Sequence, residues 1–168
     1  MSYSIYKHLQ FNAWANGKIV EILKNLDESL LDKELKSSFP TIRKTVYHIW
    51  DAELIWFRRI KGEQATTWPS EDLNETFLGS LERWQKTSEE IAAFVKTKDK
   101  HYLNGTITYT NTKGLQFTNR IEDLLFHLVN HGTFHRGQLI TMLREVGEEK
   151  LPSTDLIAYI RQLEPTLN

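Results

Sequence analysis

Cysteine does not occur anywhere in the 168 residues. Its absence excludes a disulfide framework, a thiolate metal site and a cysteine nucleophile together. Any sulfur chemistry would have to arrive on a substrate or cosubstrate. A basic surplus is missing too, since 21 Lys+Arg stand against 22 Asp+Glu for a formal net charge of −1. Nucleic acid is therefore not an implied partner. The densest basic cluster, "FRRIK" at 57–61, is short and reads as the solvated face of a helix. No apolar run approaches the roughly 18 residues of a membrane span. The first residues, "MSYSIYKHLQFNAWANG", lack the basic head and continuous apolar stretch of a secretory signal. A cytoplasmic location with no membrane partner is expected. Repeats and low-complexity segments are also absent, which points to a single domain over 1–168 with a core of its own.

What is present is helical spacing. Ile5, Leu9, Asn12, Asn16, Ile19 and Leu23 follow one face in steps of three and four, with the two asparagines as polar intrusions. A second helix is predicted after "FPT", capped by Thr41, with Ile42, Val46, Ile49, Trp56 and Ile60 inward and Gly62 at its end. "WPSEDLN" reads as a loop. A third helix over about 73–97 packs through Phe77, Leu81, Trp84, Ile91 and Val95. Residues 102–118 change texture: Ile107 and Tyr109 alternate against Leu115 and Phe117 around "NTKG", a short β-hairpin. Asn119 with Glu122 resembles a capping box for a fourth helix over roughly 120–146, closed by Gly147. A short last helix follows, with Ser153 as its cap. The fold class is all-α, a four-helix bundle with long crossover connections, a small β-hairpin before helix four and a short C-terminal helix. Trp14, Trp50, Trp56 and Trp84 are read as packing residues at the core and its rim.

Helix four carries three of the six histidines four residues apart, in "HLVNHGTFHRGQL" at 127–139. Imidazoles at that spacing can converge on one ion. Residues eight apart are about 12 Å apart along the axis, whereas histidine–metal bonds are only about 2.0–2.1 Å long. His127, His131 and His135 therefore cannot share an ion. On a wheel centred on Ile121, Leu128, Gly132 and Leu139, the pair His131/His135 points inward and His127 lies at the edge. A third ligand is needed, and His8, His48, His101 and carboxylates are available. His48, on the shoulder of helix two beside Thr45, Ala52 and Ile55, suits a pocket open to solvent, with Glu53 in reserve.

"FNAWANGKIV" at 11–20, "YHIWDAE" at 47–53, "NHGTFHRGQL" at 130–139 and "PSTDLIAYIR" at 152–161 resemble the DinB-like (DinB/YfiT) metal-binding four-helix bundles. The likeness runs in order over nearly the whole chain, and the HRGQ that begins at the second paired histidine is its most specific piece. It implies a divalent metal, zinc or nickel, held by His48, His131 and His135. It also implies a homodimer. Phe134 stands where some relatives have another histidine, which removes an extra ligand from that position.

Three nitrogens leave a tetrahedral ion one position short, the mark of a catalytic site. Water there would support hydrolysis of a small-molecule substrate. A low-molecular-weight thiol there would become a thiolate and support S-transfer. The competing expectation is a non-catalytic metal-binding or stress-response protein, its ion closed by a fourth ligand such as Glu53. His127, oriented by Asp123, is the candidate for proton transfer. Gln138 could hydrogen-bond a ligand or substrate, and Asn12 and Asn16 are read as interhelical hydrogen bonding or support behind the ligands. Arg136 follows a ligand directly, so it should point away from the ion, into a surface salt bridge or an anion or dimer contact.

Overall fold

The computed structural model describes residues 4–72 and 74–164. Helices α1 (Ile5–Leu23), α2 (Ile42–Ile60), α3 (Phe77–Lys96) and α5 (Ile121–Glu145) form the bundle. A short α4 (Lys100–Asn104), not foreseen from the spacing, precedes strands β1 (Thr106–Thr110) and β2 (Gln116–Arg120), and α6 (Leu156–Leu163) follows Gly147. No helix among the described residues is long and apolar enough to cross a membrane.

The bundle is wound so that α1 packs on α3 and α5, and α2 packs on the same two. Successive helices α1 and α2 thus lie across the diagonal, which is why residues 24–41 form a long crossover with only a single 3-10 turn, Glu28–Leu30. Thr41 caps α2 as the sequence indicates, its hydroxyl accepting from the Lys44 N–H at 3.1 Å. Gly62 and Gly147 adopt φ of 89° and 100°, so each ends its helix in the left-handed region that glycine enters without a Cβ clash. All six residues of the α1 stripe are buried, as are the five of α3. In α2 the exception is Trp56, which is half-buried.

Two caps differ from expectation. Asn119 is not a capping residue: it pairs with Ile107 inside the hairpin, and its Oδ1 accepts from the Tyr109 hydroxyl at 2.9 Å. The strand runs directly into α5 without a side-chain cap, so the ladder outcompetes the box. Ser153 likewise does not cap α6. Its hydroxyl donates to Asp155 at 3.0 Å, and Asp155 occupies the cap position. The third helix begins at Phe77, where the Thr76 hydroxyl accepts from the Gly79 N–H, rather than near residue 73, which lies outside the described residues. Leu115 belongs to the turn and is exposed, while Tyr109 and Phe117 pair across the strands as expected.

The core falls into two apolar halves. One gathers Leu9, Ile91, Leu125 and Leu128, the other Ile19, Ile49, Trp84 and Leu139. Asn12 and Asn16 of α1, Glu53 of α2, Ser88 of α3 and Arg136 of α5 are all buried and joined in one hydrogen-bonded network. Glu53 Oε1 accepts from the Asn12 and Asn16 amides at 2.7 and 2.8 Å, and Oε2 from the Ser88 hydroxyl at 2.5 Å. Arg136 Nη1 donates to both asparagine Oδ1 atoms at 2.7 and 2.8 Å. Each asparagine therefore relays between a carboxylate and a guanidinium. Arg136 is 1% exposed, so the expected surface role is wrong; its charge is balanced inside. Gly132 makes room for it, since a Cβ there would lie 2.9 Å from both Arg136 Nη1 and Asn12 Oδ1.

Candidate metal centre

α5 presents His131 and His135 one turn apart, and α2 packs against it with His48 facing them. The ring centroids are 4.8 Å (His48–His131), 4.6 Å (His48–His135) and 4.5 Å (His131–His135) apart. One nitrogen from each lies within 4.8 Å of the other two, and no fourth His, Asp or Glu joins them among the described residues. A tetrahedral ion with bonds of about 2.0–2.1 Å holds its ligands roughly 3.3 Å apart. Nε2 of His48 and of His131 are 2.9 Å apart, one donating to the other, so small ring movements would fit an ion. The residues present therefore suit a nitrogen-ligated divalent cation.

The surroundings keep these rings neutral and aimed. Burial, then the charge of His135, pushes His48 down to about 4. Burial and the neighbouring histidines push His131 down to about 3. Burial also lowers His135, opposed by a hydrogen bond to Gln138. That bond, 2.7 Å from His135 Nδ1 to Gln138 Oε1, fixes the tautomer: a carbonyl oxygen only accepts, so Nδ1 carries the proton and Nε2 keeps its lone pair. Gln138 is held in turn by donating to the Ser38 hydroxyl at 2.6 Å. Replacing Gln138 by alanine should weaken metal affinity by roughly 10–100-fold, as loss of ligand-orienting bonds does elsewhere. Competition against a chromophoric chelator measures this, and an unchanged affinity would show that the bond does not set the tautomer.

Two aromatic residues that helical periodicity does not reach complete the walls. Phe39 stacks on His48 with centroids 4.1 Å apart, and Trp68 lies 6.3 Å from the same ring. Both come from connections, and each directly precedes a proline, so the aromatic–proline pairs "FP" and "WP" are their only mark in the sequence. Asp51, buried, accepts from the Ser70 N–H at 2.7 Å and hydroxyl at 2.5 Å, which ties the Trp68 loop to α2. Burial raises its carboxyl while the Ser70 bonds oppose the rise. A cleft of about 350 Å³ opens on one side of His48, between Phe39, Asp51 and Trp68. A second, of about 220 Å³, opens on the other side, between His48, Trp56, Trp68, His127 and His131.

The remaining sequence candidates separate. His127 is exposed, 6.0 Å from His131 ring to ring, and packs edge-on against Trp56 at 5.7 Å. Asp123 does not orient it: that carboxylate accepts at 2.7 Å from Arg120, the last residue of β2. Glu53 is not near the cluster but in the buried polar layer. His8 lies between Phe11 and Phe126, and His101 is on α4. Phe134 is 61% exposed and touches the edge of His135.

The DinB family's sequence profile matches residues 1–166. The chain belongs to the DinB family. The protein named DinB of Bacillus subtilis (strain 168) is 29% identical over 174 residues, covering 95% of each chain. Among solved structures, YfiT of Bacillus subtilis superposes with a TM-score of 0.66 at 17% identity, over 87% of this chain and 91% of that one. It is described as a probable metal-dependent hydrolase with an unusual four-helix bundle topology. A DinB-like protein of Bacillus cereus ATCC 10987 gives 0.66 at 18% identity, over 91% and 99%. The bundle expected from the DinB-like resemblance, hairpin included, is thus the DinB-family fold.

Proposed function

We propose that this DinB-family protein is a metal-dependent enzyme acting on a small molecule, in which His48, His131 and His135 would hold a divalent ion, zinc or nickel. The observation that carries the reading is the convergence of three imidazole nitrogens, with no fourth His, Asp or Glu donor joining the set among the described residues. The description of YfiT as a probable metal-dependent hydrolase supports it. When bound, the ion would supply Lewis acidity and a lowered pKa to water or a thiol. Hydrolysis and S-transfer from a low-molecular-weight thiol are the two reactions this allows.

The chain's own residues have separate tasks in this reading. Burial keeps all three ligands unprotonated near neutrality. Gln138 orients His135, and Phe39 and Trp68 shield His48 from water. His127, lining the same cleft as His48 and His131, takes or returns the proton. The non-catalytic alternative draws on Glu53 as a closing ligand, and Glu53 is committed to Asn12, Asn16 and Ser88. The test is turnover by metal-reconstituted protein, with an activated ester and with a thiol plus a reactive electrophile, beside His127→Gln. Turnover that needs the metal supports the enzyme. Stoichiometric metal without turnover in either assay returns the protein to the binding role.

A further inference from the structure

The protein has two buried arginines and treats them differently. Arg136 faces Glu53 through two asparagines. Arg59, 6% exposed, forms no salt bridge among the described residues, and burial lowers its pKa with no carboxylate opposing. Its place in "FRRIK" suggests a solvated face, but only Arg58 and Lys61 reach Glu63 at the surface. Arg59 instead turns under the hairpin. Its Nε donates to the Ala65 carbonyl at 3.1 Å and Nη2 to the Thr110 carbonyl at 3.2 Å. Its guanidinium lies over Trp56 and Tyr109, 4.9 and 5.0 Å from the ring centroids. These contacts fix the plane of the group without supplying a negative charge. Nη1 has no hydrogen-bond partner among the described residues.

Buried cations are normally paired, because leaving one uncompensated is costly. Here the uncompensated group lines the 220 Å³ cleft that also contains His48, His127 and His131. Asn111 lines it as well. Its Oδ1 is already taken by the N–H groups of Lys113 and Leu115, so its amide N–H₂ remains to donate. A rigid guanidinium with one free nitrogen, beside an amide donor, is an arrangement that recognises an oxyanion.

We infer that this cleft binds a small anion, a carboxylate or phosphate group of the substrate, on Arg59, with the rest of the molecule extending to the three imidazoles. The second half of that statement rests on the metal-centre reading; the first does not. Arg59 is thus a specificity determinant that selects an anionic substrate and sets which of its atoms reaches the ion. The aromatic walls, Trp56 and Trp68, exclude water and strengthen the charge contact.

Succinate, inorganic phosphate and uncharged succinamide are titrated into metal-free and metal-loaded protein, with tryptophan fluorescence as the readout, since two of the five tryptophans line the cleft. Metal content by elemental analysis and thermal melting are recorded for wild type, Arg59→Gln and Arg59→Lys. Saturable binding of succinate or phosphate but not succinamide is expected, and whichever anion saturates identifies the group. Arg59→Gln should weaken it roughly tenfold or more and Arg59→Lys less, with metal content unchanged in both. Equal response to succinamide, absence of saturation, or full affinity in Arg59→Gln overturns the inference. If Arg59→Gln does not fold, the succinate–succinamide comparison in wild type decides alone. Anion binding by a chain that takes up no metal would sink only the metal reading, and stoichiometric metal without anion binding sinks only this one.

Discussion

Purified His131→Ala is expected to fold like the wild type and to contain no stoichiometric metal. His131 is one corner of a nearly equilateral cluster, its ring centroid 4.8 Å from that of His48 and 4.5 Å from that of His135. Removing it leaves two nitrogens, too few for a tight site. The loss should exceed the roughly 10–100-fold expected from Gln138→Ala, because a ligand and not its orientation is gone. The fold should survive, since His131 lies at the rim of the bundle and the apolar halves do not depend on it. Acid should act more gently than on an ordinary histidine site. Model imidazoles bind protons below about pH 6.5; His48 and His131 are pushed down to about 4 and about 3, so proton competition is displaced to lower pH. The same shifts make the metal-free protein lose stability as pH falls below the unfolded value, because the unfolded chain then binds more protons. Elemental analysis of wild type and variant between neutral and mildly acidic pH checks the metal content, and urea titration of the metal-free protein over the same range checks the stability. A full ion in His131→Ala would place the metal elsewhere.

Periodicity makes the cluster legible because its members lie on long helices. Four-residue spacing leaves two pairs, the inward face of the helix selects His131 with His135, and the shoulder position selects His48, since a helix fixes the bearing of each side chain. Phe39 and Trp68 stay hidden because connections have no period to read. Arg59 and Arg136 mislead for a different reason. Charge suggests surface, yet Arg136 follows Gly132 by one turn and so shares its inward face. Three polar residues on other helices, Asn12, Asn16 and Glu53, stand out in the sequence as separate anomalies. Counted together, they are the partners of a buried cation. For Arg59 the missing information is tertiary: its burial depends on the hairpin crossing α2 near Thr110. The cap at Asn119 fails for a similar reason, because strand pairing claims that residue before a helix can.

Arg136→Met should destabilise the protein by about 3–5 kcal/mol, the cost of breaking a buried pair and leaving one charge behind. In a chain of this size that lowers the melting temperature on the order of 10 °C. Glu53 would keep its donors from Asn12, Asn16 and Ser88 but lose the cation that burial makes necessary, and burial already raises its pKa. The double variant Arg136→Met with Glu53→Gln should be less destabilised than the sum of the single ones. The neutral amide introduced by Glu53→Gln could still accept from both asparagines, and the Ser88 hydroxyl could turn to accept from its N–H₂. The layer joins one side chain or more from each bundle helix, so its further effect is registry: sliding any helix by a turn would strand a polar group between the apolar halves. Urea titrations of the four proteins give the coupling energy, expected at about 1–3 kcal/mol. Strict additivity would mean that Glu53 and Arg136 act independently, and that the asparagines between them are spacers rather than a relay.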